Sequence, residues 1–227
     1  EGEKLDLLIG NRPLEEAEGL EKDEKETIKA NVLHILKENY GIEEEDFASA
    51  ELEIVPAGKA RDCGFDRSMI LSYGQDDRVC AFTSLFAMLD VENAKRTGCC
   101  LLVDKEEIGS VGATGMHSRF FENTVAELVA LTEGESELKV RRALANSRML
   151  SSDVSAAYDP MFAEAFEKRS AAFFTKGLAF NKFTGSRGKS GSNDANAEYL
   201  AKIRKVMDDA GVAYQFAELG KVDVGGG

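Results

Sequence analysis

The 227-residue chain is 43% apolar and 30% charged, a composition that supports a folded protein with one sizeable core or two modest ones. Its formal net charge of −13 argues against nucleic acid and anionic membrane as partners, because both require clustered Lys and Arg. No apolar run reaches the roughly 20 residues of a membrane span, and the acidic first residues do not form a secretory signal. We therefore expect a cytoplasmic protein.

The first part of the chain predicts short strands and one amphipathic helix. A strand at 5–9 leads into an acidic stretch that we expect on the surface. A helix that ends at Gly41 is predicted next, because its apolar residues form one helical stripe, at Ile28, Val32, Ile35 and Leu36. Strands at 52–57 and 69–73 follow.

Beyond residue 75 the apolar pattern changes. The segment from Asp76 to Leu89 is apolar on nearly every side, as in a buried helix, and 99–103 is an unbroken apolar run typical of a parallel strand covered on both faces. The remaining predicted elements are helices at 118–132, at 137–148, from Pro160 and at 194–210, and strands into Asp153, at 178–184 and at 214–219. This alternation predicts an α/β fold, with a mixed, mostly parallel sheet, helices on both faces and a domain boundary near residue 70.

The four cysteines predict reduced thiols. Their surroundings are apolar and they form no CxxC pair, so we expect core residues rather than a disulfide framework or a thiolate zinc site, at Cys63, Cys80, Cys99 and Cys100. The chain begins with Glu1 and ends in a predicted strand, 222–224, that enters a Gly-rich turn. In α/β proteins such a turn normally feeds a helix, so we expect this sequence to be a piece of a longer protein.

Acidic side chains follow three of the predicted strands. Asp76 and Asp77 come after the predicted strand at 69–73, and Glu106 and Glu107 come after the predicted strand at 99–103. Asp153 lies at the end of a third predicted strand. Chemistry in α/β sheets lies beyond the carboxyl ends of strands, so these carboxylates are expected to converge. Converging carboxylates repel each other unless a divalent cation neutralises them, which predicts a metal site.

Each acidic group also has a plainer interpretation. Asp76 or Asp77 alone fits a helix cap or a partner of the helix dipole. Glu106 and Glu107 alone fit a solvated turn, and Asp153 alone fits a capping or turn residue. Spacing by itself leaves the metal hypothesis and these alternatives open.

Three strings carry a family resemblance. They are GQDDRVC at 74–80, DKEEIGS at 104–110 and SSDVS at 151–155, and their order and approximate separation resemble those of the aspartyl aminopeptidase and vacuolar aminopeptidase I family of dizinc peptidases. The resemblance extends over essentially the whole chain, including AGKARDCGFDRS at 57–68. The paired glutamates are its strongest single element.

The resemblance implies roles for four residues. Asp76 would bridge two divalent metal ions, Glu107 would bind one of them and Asp153 the other, and Glu106 would be the general base that activates the attacking water. The ions would be zinc, with cobalt or manganese as alternatives. The implied reaction is hydrolysis of an acidic or neutral N-terminal residue from a peptide.

The chain departs from the family in its histidines. The family's metal site also uses two histidines, one upstream of the bridging aspartate and one near the end of the chain, and neither His34 nor His117 matches these positions. Both are expected to have surface or packing roles. The missing ligands agree with a partial chain, which we expect to be inactive alone.

The resemblance also implies a domain arrangement and an assembly. The family inserts a dimerisation or lid domain into the peptidase sheet, and residues 1–70 resemble part of that insert. Residues 71–227 resemble part of the catalytic metallopeptidase domain, which has the zinc-peptidase type of α/β fold. A homo-oligomer is implied, built from dimers and extending to a dodecamer in some members.

The sequence has three alternative interpretations. The loop at 185–190 resembles a phosphate-binding loop, but Phe183 stands where that motif requires Gly. A second alternative is a non-catalytic assembly module derived from a peptidase, which metal titration would distinguish. A third is a related dizinc peptidase family with the same chemistry and a different insert.

Overall fold

The computed structural model describes residues 6–14, 24–186 and 190–221. The chain divides into two compact units, Glu1–Gly58 and Lys59–Gly227, and each is described by itself. The division lies N-terminal to the predicted boundary near residue 70, because the hairpin at 61–71 falls within the second unit. The assignment of 1–70 to a dimerisation domain and of 71–227 to a catalytic domain stays a prediction.

The first unit contains the predicted amphipathic helix. This helix, α1, spans Glu24–Tyr40, and Gly41 ends it in the left-handed conformation (φ +70°), with its N–H donating to the Lys37 carbonyl at 2.9 Å. A glycine avoids the Cβ clash that this conformation costs other residues. A 3-10 helix at Glu44–Ala48 follows. The strands predicted at 5–9 and 52–57 are wrong where they can be compared, since residues 6–9 and 52–57 pair with no described strand.

The second unit begins with a two-stranded antiparallel hairpin. Its strands are β1 (Arg61–Cys63) and β2 (Met69–Leu71). Three helices follow, α2 at Gln75–Leu89, α3 at Phe120–Glu133 and α4 at Glu137–Ala145, with a short 3-10 helix at Glu106–Ile108 between the first two.

The C-terminal part of this unit is a three-stranded mixed sheet. Its strands are β3 (Leu178–Ser186), β4 (Ser190–Asp194) and β5 (Tyr214–Glu218), in the order β4-β3-β5. The β3–β4 pair is antiparallel, and the β3–β5 pair is parallel. A parallel pair needs a long connection between its strands, and here that connection consists of β4 and the helix α5 (Ala197–Ala210). The predicted mixed α/β class is confirmed.

The buried core of the second unit lies beside this sheet. The buried apolar residues that the structure describes are Ala171, Ala172 and Ala217. Aromatic rings surround them in two groups, in which Tyr158 contacts Phe166 and Phe173 and Phe180 contacts Tyr214 and Phe216. The segment from Pro160 forms a 3-10 helix, Pro160–Ala165, rather than an α-helix.

Several predicted core elements are exposed instead. The runs 99–103 and 148–153 belong to no helix or strand in the described ranges, and α2 has no buried residue. The cysteines are free thiols, of which Cys99 is exposed and the other three are half-buried, so the prediction of core positions was wrong. Burial requires a covering surface, and the described residues supply none here. Within those residues, no helix is both long and apolar enough to cross a membrane.

Candidate metal centre

The first part of the site is the start of α2. Gly74 precedes the helix in the left-handed conformation (φ +74°), and Asp76 and Asp77 depart from helical backbone angles. The peptide bond between these two aspartates is cis. The helix begins without a side-chain cap, so the structure does not support the plainer interpretation of Asp76 or Asp77 as the N-cap.

The second part is a tight turn that carries both glutamates. Glu106 and Glu107 open the 3-10 helix at 106–108, which lies between two left-handed residues, Lys105 (φ +66°) and Gly109 (φ +89°). The Gly109 N–H closes the turn on the Glu106 carbonyl at 2.8 Å. Left-handed backbone at both ends reverses the chain sharply, so the two carboxylates are presented from a compact turn.

The third part is the segment around Asp153. One carboxylate oxygen of Asp153 accepts a hydrogen bond from the Val154 N–H at 2.7 Å. Two residues later, the Ser155 hydroxyl and the Asn181 side-chain amide lie within hydrogen-bonding distance at 3.4 Å. Because Asn181 belongs to β3, this contact ties the Asp153 segment to the sheet.

Two of these parts, the start of α2 and the Asp153 segment, meet in one cluster of carboxylates. Asp76, Asp77 and Asp153 each offer one oxygen, and these oxygens all lie within 4.8 Å of one another. Bond lengths of about 2.0–2.2 Å to zinc place the oxygen ligands of a tetrahedral site roughly 3.3–3.6 Å apart, so small side-chain movements would let these groups share an ion. The donor set is all oxygen, which zinc, manganese and cobalt accept. The residues therefore fit a divalent metal.

The electrostatics of the cluster point the same way. The pKa of Asp76 is raised above its ordinary value of 3.8, first because neighbouring atoms partly desolvate the carboxyl and then because the Asp153, Glu107 and Asp77 charges lie close by. Although Asp76 is exposed as a whole residue, its carboxyl is thus partly shielded from water. A raised pKa among like charges marks a site that a cation would stabilise.

Glu106 shares this environment. Partial desolvation raises its pKa, and the charges of Asp153 and Glu107 raise it further, followed by those of Asp76 and Asp77. A carboxylate with a raised pKa is a better proton acceptor at neutral pH than an ordinary glutamate.

Cys80 lies at the edge of the cluster, one helical turn beyond Asp77. Burial raises its pKa to about 11, and its side chain also hydrogen-bonds with Asp77 and Ser152. A thiol with this pKa stays protonated at neutral pH. Cys80 therefore acts as a neutral neighbour of the carboxylates.

The structure thus brings together Asp76 and Asp153. The charge of Glu107 raises the pKa of Asp76, and the neighbouring carboxylates raise that of Glu106. Glu107, the predicted ligand, is not among the oxygens within 4.8 Å of one another. Asp77, which was expected near the cluster but was given no ligand role, is among them. Its adjacency to Asp76 was the available signal, but the direction of its side chain depends on a backbone conformation that adjacency does not predict. His34 on α1 and His117 are both exposed.

The loop near residue 187 does not have the context of a phosphate-binding loop. It connects two antiparallel strands, β3 and β4, whereas a P-loop joins a strand to a helix. Arg187 and Lys189 lie outside the described residues.

Comparisons with known proteins identify the family of this chain. The family model described as aminopeptidase I zinc metalloprotease (M18) matches residues 3–227. The chain is 61% identical to a probable M18 family aminopeptidase 1 of Clostridium acetobutylicum, over 100% of this chain and 48% of that protein. It is 45% identical to the Thermotoga maritima protein of the same name, over 100% of this chain and 49% of that protein. It thus spans about half the length of these relatives.

Solved structures support the same relationship. The aminopeptidase I of Clostridium acetobutylicum matches with a TM-score of 0.83 and 59% identity, covering 97% of this chain and 46% of that one. A dodecamer structure of the Saccharomyces cerevisiae aminopeptidase has a TM-score of 0.61 at 20% identity, over 84% of this chain and 43% of that one, and shows a shared fold. The chain belongs to the M18 family of aminopeptidase I zinc metalloproteases.

Proposed function

We propose that the full-length protein containing this chain is a zinc-dependent aminopeptidase with a two-metal site. In this proposal Asp76 would be shared by the two ions, Glu107 and Asp153 would each hold one of them, and Glu106 would be the general base. The observation that supports this most strongly is the meeting of carboxylates from two separate turns, with oxygens of Asp76, Asp77 and Asp153 within 4.8 Å of one another. A third turn supplies Glu107, whose charge raises the pKa of Asp76. Membership of a zinc metalloprotease family favours zinc over cobalt or manganese.

Each acidic residue then has a distinct task. When bound, the metal ions polarise the scissile carbonyl and lower the pKa of the attacking water. Glu106 accepts the proton of that water on its carboxylate and later donates it to the leaving amine. Its raised pKa makes it a stronger base than an ordinary glutamate, as a group that must take up and release a proton requires. Glu107, from the next backbone position, takes the ligand role.

The substrate is proposed to be a peptide with a free N-terminus, acidic or neutral in its first residue. Carboxylates that are not neutralised by the metal ions can also attract the substrate's terminal ammonium group. By analogy with the dodecameric yeast relative, the full-length protein is proposed to form a homo-oligomer assembled from dimers. A cytoplasmic location stays a prediction from the sequence.

The general base is tested by Glu106→Gln in the full-length protein. Removing a general base lowers kcat about 10²- to 10⁴-fold, and glutamine preserves the size of the side chain. We expect this loss with zinc still bound, measured as zinc-dependent release of N-terminal residues from aminoacyl chromogenic substrates. Glu127→Gln, on the exposed side of α3, is the matched control and should retain wild-type turnover. Metal-independent release, or full activity of Glu106→Gln, contradicts the proposal.

A further inference from the structure

We propose that Gly115 is a positioning residue for Glu106 and Glu107, and that it acts by holding the loop that carries them in one conformation. This inference rests on the proposed function of the two glutamates. It concerns a residue that touches neither metal nor substrate in that scheme, and it assigns the loop at 104–117 a role in placing the carboxylates.

The loop is fastened by backbone hydrogen bonds at two levels. The Asp104 N–H donates to the Thr114 carbonyl at 3.1 Å and joins the two ends of the loop. Inside the loop, both backbone groups of Ser110 are hydrogen-bonded. Its N–H donates to the Lys105 carbonyl at 2.7 Å, and its carbonyl accepts from the His117 N–H at 3.1 Å. The Ser110 backbone therefore links the glutamate turn to the returning arm of the loop.

Gly115 packs directly against this link. It is buried, and a Cβ atom added there would lie 2.2 Å from the Ser110 carbonyl oxygen and 2.7 Å from the Val111 carbonyl oxygen. Both neighbours are backbone atoms, which cannot rotate away as the end of a side chain can. The returning arm can approach Ser110 this closely only because residue 115 has no side chain.

A side chain at position 115 would therefore displace the glutamate turn. Non-bonded carbon and oxygen atoms need more than about 3 Å of separation, so the Ser110 peptide would have to move by roughly 1 Å. Ser110 is bonded to Lys105, the residue immediately before Glu106, and the shift would pass to the glutamates. A misplacement of about 1 Å can reduce turnover about 10²-fold, and a disturbed supporting residue typically weakens metal binding by about 10- to 100-fold.

The second unit offers a matched control at Gly177. A Cβ atom there would lie 2.2 Å from the Ala213 carbonyl oxygen, the same clash distance against the same kind of atom. Gly177 also has a positive φ of 90°, so alanine costs at least as much stability there as at Gly115. It immediately precedes β3, and its carbonyl accepts a hydrogen bond from the Gln215 side chain of β5 at 2.9 Å, so it belongs to the sheet rather than to the glutamate loop.

The experiment compares Gly115→Ala and Gly177→Ala in the full-length protein. Zinc affinity is measured by competition with a chelator, kcat and KM at saturating zinc, and folding by the thermal midpoint. We expect Gly115→Ala to bind zinc about 10- to 100-fold more weakly and to lose about 10² in kcat with KM nearly unchanged. Gly177→Ala should lower the thermal midpoint by at least as much and retain wild-type zinc affinity and kcat.

Two results would overturn the inference: Gly115→Ala that folds and retains both zinc affinity and kcat, or an equal loss of zinc affinity in Gly177→Ala. If Gly115→Ala does not fold, Thr114→Val replaces it. That change removes the hydroxyl that donates to the Asp104 carboxylate at 3.3 Å, and a loss of about two- to tenfold in zinc affinity is expected; unchanged affinity contradicts the inference. If the wild type binds no zinc, or Glu106→Gln stays active, the proposed function fails instead.

Discussion

At the scale of single residues, the site is a balance between desolvation and repulsion among carboxylates. Asp76 has neighbours of the same charge on three sides, from Asp153, Glu107 and Asp77. Asp104 stands only two residues before Glu106, yet its pKa is lowered, because the Lys105 N–H donates to its carboxylate and the Lys105 ammonium lies nearby. Two aspartates of similar exposure therefore have pKa values that shift in opposite directions.

These directions predict that replacing Asp76 or Asp104 by the uncharged asparagine changes the thermal midpoint in opposite directions. A raised carboxyl pKa means that the folded protein binds more protons than the unfolded chain, so stability falls as the pH rises from the ordinary carboxyl range through the raised pKa. In the metal-free full-length protein, Asp76→Asn should therefore raise the thermal midpoint at neutral pH, with a gain below about 1 kcal/mol because the side chain is exposed. With excess zinc the wild type should have the higher thermal midpoint of the two, since zinc at 100 times its Kd stabilises the wild type by about 2.7 kcal/mol.

Asp104→Asn is the matched comparison. A lowered pKa contributes stability above the ordinary carboxyl range, and this stability is lost as the pH falls through the lowered value. Asp104→Asn should therefore lower the thermal midpoint at neutral pH. Thermal midpoints at pH 4 and pH 7.5, with chelator or zinc, measure all of these effects. If both variants shift the midpoint in the same direction at neutral pH, the account of the carboxylate cluster is wrong.

At the scale of elements, local signals predicted the helices well. The helices α1, α3, α4 and α5 lie close to their predicted ranges, because apolar periodicity, caps and a terminal glycine are all encoded within the helix and its flanks. The run 99–103 was predicted as a strand from its composition, but a strand also needs a hydrogen-bonding neighbour. That neighbour is a property of distant residues, and no described residue provides it.

The site shows the same division between local and distant information. The order of the three acidic strings was enough to nominate Asp76, Glu106, Glu107 and Asp153. Their distances were not predictable from the strings, because they depend on left-handed residues such as Lys105 and on the close approach of Gly115 to Ser110. Asp77 joined the oxygen set for the same reason, through the backbone conformation at the start of α2.

One cap can be tested in isolation. Asn196 is the N-cap of α5, and its side-chain oxygen accepts a hydrogen bond from the Tyr199 N–H at 2.8 Å. Asn196→Ala removes this acceptor and should lower the free energy of unfolding by about 1 kcal/mol, whereas Asn196→Asp should retain it. The change is read from the urea midpoint of the transition that involves α5. Equal midpoints for the alanine and aspartate variants would show that the cap contributes nothing.

At the scale of the whole molecule, apolar surface without cover is the main feature of the second unit. Phe82 and Phe86 stack on each other with ring centroids 4.3 Å apart, yet they remain 60% and 47% exposed, and Leu89 of the same helix is 69% exposed. Burying each such side chain is worth roughly 1.5–3 kcal/mol. Among the described residues these apolar faces of α2 have no cover, and the chain spans 48% of its Clostridium relative.

The central claim is that Asp76, Glu107 and Asp153 hold a pair of zinc ions. Anomalous diffraction at the zinc edge, from crystals of the full-length protein grown with zinc, tests it most directly. The account predicts two peaks, both within about 2.0–2.2 Å of an Asp76 oxygen, with Glu107 at one and Asp153 at the other. No peak at Asp76, or zinc bound at a site that includes none of these three carboxylates, would contradict it.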